Sequence, residues 1–117
     1  MNTEQLKQRT KDFSKQVINL CRLLPDSREG RLIGNQIFRS GTSVGANYRA
    51  ACRARSKADF IAKLGIVLEE ADETLFWLEI LTETGIMEKQ NLEPLSRETN
   101  ELISIFVASI NSAKNKD

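Results

Sequence analysis

Histidine is absent from this chain of 117 residues. That removes the imidazole base and the commonest metal ligand together. Cysteine is scarce: Cys21 and Cys52 are the only two, and neither has a partner at metal-ligand spacing. Both read as small buried apolar residues in a reduced compartment. No Asn-Gly or Asp-Gly dipeptide occurs, and no segment alternates with period two, so a sheet built from hairpins is excluded. There is no internal repeat of 20–50 residues. No apolar run approaches the roughly 20 residues of a membrane span. The opening residues Met1 to Lys7 lack an apolar signal core. A cytoplasmic protein without a membrane partner is therefore expected. Net charge is only +1, so bulk charge points to no partner.

What is present is helical patterning in an ordinary globular composition, 40% hydrophobic and 28% charged. The length suits one domain with a real core, residues 1–117. Thr3 is the expected cap of a first helix, whose stripe is Leu6, Phe13, Val17, Leu20, Cys21 and Leu24. Leu24-Pro25 ends it, because the residue before proline is pushed out of the α region. Asp26 or Ser27 caps the second helix, with Glu29 placed for a capping box on Asp26. Its stripe runs Ile33, Ile37, Ser40 or Gly41, Val44, Tyr48 and Ala51.

Ser56, with Asp59 three residues on, caps a third helix. Phe60, Leu64, Val67, Leu68, Ala71, Leu75, Leu78 and Leu81 or Thr82 form its stripe, and Ile61, Ile66, Phe76, Trp77 and Ile80 widen it. A helix so broadly apolar must meet more than one neighbour. Gly85 supplies a left-handed stop. Met87 to Asn91 reads as a connector, and Pro94 fits the first turn of a fourth helix. Leu95, Thr99, Leu102, Ile103, Phe106 and Ile110 continue that helix. The fold class is all-α, an antiparallel up-down-up-down four-helix bundle.

Within the second helix, Gly41 and Gly45 lie four residues apart on one face. Helical glycine costs about 1 kcal/mol against alanine, so close approach of another helix backbone is the expected reason to keep them. Asn47 and Glu73 fall near the core edges of helices two and three. They read as a buried polar pair fixing helix register, with a ligand pocket as the alternative. Phe76, Trp77 and Ile80 exceed what one bundle core needs, so they are assigned to a subunit interface.

Charge is unevenly spread. From Gly30 to Ala58 the charged residues are six cations and no acid; from Asp59 to Glu101, eleven acids face three cations. Arg49, Arg53, Arg55 and Lys57 are the candidate nucleic-acid contacts, since arginine binds phosphate bidentately. Arg49 and Arg53 share a helical face, which Lys57 would extend if the helix lasts, and Tyr48 adjoins them as a stacking surface. The alternative is that these cations pair with the acids of helices three and four, within or between subunits. The acids Glu69, Glu70, Asp72 and Glu73 read as a solvated or salt-bridged face, because di-metal bundles use Glu-x-x-His pairs. No catalytic residue, metal site or cofactor is expected.

The stretch Ser40-Gly41-Thr42-Ser43-Val44-Gly45-Ala46-Asn47 resembles a bacterial four-helix-bundle family. Its members include proteins encoded in intervening sequences of large-subunit ribosomal RNA genes. Accessory variability proteins of diversity-generating retroelements are relatives. The likeness continues through Ser56 to Leu64 and Glu70 to Glu79. Asn47 and Glu73 match family positions. Many members follow the asparagine with Ile-x-Glu-Gly, where Tyr48-Arg49-Ala50-Ala51 stands here. The resemblance implies a four-helix protomer, often a ring-like homopentamer, and a role in binding RNA or DNA. A protein partner or a purely structural scaffold is the other function carried forward.

Overall fold

A computed structural model describes residues 1–116. Four apolar stripes become four helices: α1 (Thr3–Leu23), α2 (Arg28–Cys52), α3 (Lys57–Glu83) and α4 (Lys89–Lys114). Each lays its stripe inward around one core that includes Phe13, Val17, Ile37, Val44, Leu64, Val67, Leu78, Leu102 and Phe106. Helices of this length span about 38 Å, and the molecule measures 50 × 20 × 19 Å.

The register is antiparallel throughout. Gly34 faces Leu24, Gly41 faces Val17 and Gly45 faces Thr10, so α2 rises in number as α1 falls. Phe60 lies beside Ile105 and Ser109, while Thr82 lies beside Leu92 and Ser96. The α1–α4 seam is the most lightly packed of the four. It is clasped by Arg9, which donates to both carboxylate oxygens of Glu98 at 2.7 Å and to Glu101 at 3.1 Å. Across α2 and α3, Ser40 and Thr74 share a buried hydroxyl hydrogen bond of 2.8 Å. With Thr74 also donating to the Glu70 carbonyl, that core contact leaves no hydroxyl unsatisfied.

Several ends differ from expectation. Asn2, not Thr3, caps α1 in a reciprocal box with Gln5; the asparagine reaches the third helical N–H, which the threonine, already helical, does not. Ser27 caps α2 by accepting from Gly30, while Asp26 instead pairs with Arg31. The connector is shorter than expected, since α4 starts at Lys89 and Pro94 is its sixth residue rather than part of its first turn. The proline removes the N–H that would reach the Gln90 carbonyl. Burial of Leu92 and Leu95 on either side holds the opening turns helical despite that loss. α2 ends at Cys52, so Lys57 opens α3 and does not extend the face of Arg49 and Arg53. Ser56 caps α3 by accepting from Asp59 N, and Gly85 closes it at φ +72°.

Candidate nucleic-acid interface

The site grows out of the small residues of α2. At Gly45 an added Cβ would lie 3.0 Å from the Thr10 carbonyl oxygen. The two backbones therefore nearly touch, and the nearest side-chain atom is the small Ser14 hydroxyl, 3.5 Å from that Cβ position. The result is a groove of about 230 Å³ over Gly45 and Ala46, lined by Lys7, Lys11, Ser14, Thr42 and Arg49. Beside it, sharing Lys7 and Arg49 as walls, lies a second hollow of about 270 Å³, lined by Glu4, Lys7, Gln8, Arg49 and Arg53. Lys7 and Lys11 stand one helical turn apart on α1, and Arg49 and Arg53 do the same on α2. Four cations thus edge one channel.

Arg49, Arg53, Arg55 and Lys57 are all exposed. Among the described residues none of them, nor Lys11, takes part in an ion pair, and Lys7 pairs only with Glu4, at 3.1 Å. Within the protomer, paired acids of α3 and α4 are held by other cations. Glu98 and Glu101 take Arg9, Asp59 takes Lys63, and Glu70 and Glu73 take Arg39. Arg55 approaches Asp59 only through its backbone N–H. That bond and, above all, the Lys63 ammonium hold the Asp59 carboxyl below its usual range.

Sequence reasoning missed Lys7 and Lys11. They stand four residues apart in the sequence, but only the α1–α2 register opposite Gly45 gives that spacing meaning. Tyr48, by contrast, offers no stacking surface. It is buried, its ring 6.2 Å from that of Phe106, and burial pushes its hydroxyl up to about 12.

The other selected residues are placed as follows. Gly41 meets Val17 and Gly45 meets the Thr10 backbone. Asn47 and Glu73 are not brought together. Asn47 donates to the Ser43 carbonyl of its own helix at 2.9 Å, whereas Glu73 accepts from Arg39 and, at 3.3 Å, from Trp77 Nε1. Their register role as a mutual pair is therefore replaced: Ser40 with Thr74, and Arg39 with Glu70 and Glu73, cross between α2 and α3. The Arg39 hydrogen bond holds the Glu73 carboxyl below its usual range. Phe76 is 50% exposed, with its ring edge-on to the half-buried Trp77 at 5.0 Å; Ile80 is also half-buried.

Among the described residues no cluster of His, Cys, Asp and Glu is set to hold a metal ion. Nor is any of those helices long and apolar enough to cross a membrane.

Residues 3–108 match the family described as 23S rRNA-intervening sequence protein. The chain belongs to that family. No curated protein matches it. It is similar to a solved structure from Bacteroides thetaiotaomicron, described as a protein of unknown function from the S23 ribosomal protein family. Identity is 36% over 95% of this chain and 99% of that one, with a TM-score of 0.87. This intervening-sequence family protein thus shares its whole four-helix frame with that relative. Family membership carries the fold and assigns no biochemical activity.

Proposed function

We propose that this protein is a non-enzymatic homo-oligomer that binds RNA or DNA through the α1–α2 groove and the adjoining connector. The observation that carries the reading is a cluster, at one end of the bundle, of exposed cations without an ion pair among the described residues: Arg49, Arg53 and Arg55, joined by Lys57 and Lys11. Arg9 and Arg39, by contrast, are held by acids of α3 and α4 within the protomer. Unpaired arginines beside a channel suit phosphate, which positions a nucleic acid without reading its sequence. Oligomerisation is supported by the apolar outer face of α3, where Phe76 and Ile66 are half-exposed; the family resemblance favours a pentamer. Repetition around a ring raises avidity without new contacts, provided one strand spans the sites.

The same α3 face favours a second reading, a structural or protein-interaction scaffold whose cations meet acids of a neighbouring subunit. Replacing Arg49, Arg53 and Arg55 together with glutamine separates the two. The nucleic-acid reading expects loss of RNA and DNA binding with melting temperature and sedimentation unchanged. The scaffold reading expects loss of assembly instead.

A further inference from the structure

A second groove lies at the same end of the bundle, between the start of α3 and the end of α4. It encloses about 710 Å³ and is lined by Lys57, Phe60, Ile105, Ala108, Ser112 and Lys116, among others. That volume is in the range of roughly 300–1,000 Å³ typical of ligand clefts. Its floor is mainly apolar, with Phe60 and Ile105 packed on the core beneath. The hydroxyls of Ser56, Ser109 and Ser112 are the polar groups set among these apolar side chains. Its rim carries two exposed cations, Lys57 and Lys116. Lys57 belongs both to this rim and to the basic run that leads from Arg49 and Arg53.

An apolar trough with a phenyl ring inside and lysines at its edge fits a flat, weakly polar body carried on an anionic chain. A nucleobase on its phosphodiester backbone has that form. Base faces are stacked away in a duplex and available in a single strand, where aromatic side chains stack on them irrespective of sequence. Resting on the nucleic-acid reading above, we infer that the α3–α4 groove seats an unpaired base of a single-stranded nucleic acid against Phe60. The neighbouring phosphates then run over Lys57 toward the basic connector. The protein accordingly prefers a single strand, and the two grooves divide the work: cations along α1 and α2 hold the backbone of either form, and the α3–α4 trough adds a base contact that only an unpaired strand can make.

The test is fluorescence anisotropy with the full chain at about 50 mM salt. The probes are a labelled oligouridine of about 12 nucleotides, within the usual span of a single-strand site, and a duplex of equal length. The parent should prefer the single strand by roughly tenfold, the scale of one aromatic–base stack. Phe60→Ala should remove that preference and leave duplex binding as it was; Phe60→Trp should restore it. Because Phe60 also touches the core, Ala108→Leu, which crowds the trough from an exposed position with an aliphatic side chain that cannot stack on a base, must give the same loss in a protein of unchanged melting temperature. A single-strand preference that survives Ala108→Leu overturns the inference, as does a parent that binds both probes equally; either result leaves the basic-groove reading standing. A parent that binds neither probe overturns both.

Discussion

Gly41→Ala and Gly65→Ala are the same chemical change in two long helices, and the structure assigns them opposite signs. Both exchange helical glycine for alanine, which by propensity alone stabilises by about 1 kcal/mol. At Gly65 an added Cβ meets nothing within 4 Å, so that gain is kept. At Gly41 it would lie 2.6 and 2.7 Å from the two methyls of Val17. Val17 is fully buried, and a β-branched side chain has little rotameric freedom with which to yield. The helices must part or the side chain must strain, a cost of about 1–3 kcal/mol. Gly41→Ala should therefore be destabilising by up to about 2 kcal/mol net, and Gly65→Ala stabilising by up to about 1 kcal/mol. A double-mutant cycle isolates the contact. Val17→Ala alone costs about 2 kcal/mol of lost burial and cavity, but it removes the clashing methyls. In the Val17→Ala background the clash should vanish and only the propensity gain remain, giving a coupling of about 1–3 kcal/mol. Urea unfolding followed by circular dichroism at constant m reads all four stabilities. A Gly41→Ala protein as stable as Gly65→Ala, or a coupling near zero, would refute close packing at this seam.

The remaining stability predictions concern the charged clasps and one phenol. Arg9→Met should cost about 1–3 kcal/mol, because it leaves the partly buried Glu98 without its bidentate partner; hydrogen exchange should then rise first along α1 and α4, where packing is lightest. Tyr48 has its hydroxyl raised to about 12 in the folded state against 10 as a free phenol, chiefly by burial. Its neutral form is fully protective below pH 10, and that protection fades as pH climbs through 12, up to about 2–3 kcal/mol in all. Alkaline titration of Tyr48→Phe should lack this loss; an identical alkaline profile would exclude it. Glu73 has the opposite sign. Its carboxyl is lowered by Arg39, so its contribution is present above the ordinary glutamate range and disappears as pH falls through the folded value. Glu73→Gln should flatten the acid limb of stability measured by thermal melts.

The bundle was legible because its periodicity is plain. Stripes such as Leu6, Phe13, Val17 and Leu64, Val67, Ala71, Leu78 need only helical spacing to be read, and all are buried. Helix ends were harder. Asn2 against Thr3 and Ser27 against Asp26 are each a choice between adjacent cap-forming residues, settled by which side chain reaches a free N–H. Pro94 misled because proline's preference for the first turn yields to the burial of Leu92 and Leu95. The candidate interface was half legible. Its arginines stand together in sequence, whereas Lys7 and Lys11 are brought to them by the packing of α1 on glycine. Which acids take which arginines was not legible at all, since Arg9–Glu98 and Arg39–Glu73 link residues far apart in the chain.

Binding of nucleic acid as a function of salt tests the central claim most directly. Lys7, Lys11, Arg49 and Arg53 edge one channel. If one protomer's channel engages phosphate fully, log affinity for duplex DNA should fall against log salt with a slope of about −3 to −4, and somewhat less steeply for a single strand. Glutamine at Arg49 and Arg53 should reduce that slope by about 2 and weaken binding for every sequence alike. A parent that shows no binding at low salt, or an Arg49→Gln/Arg53→Gln protein that keeps both affinity and slope, would contradict the account.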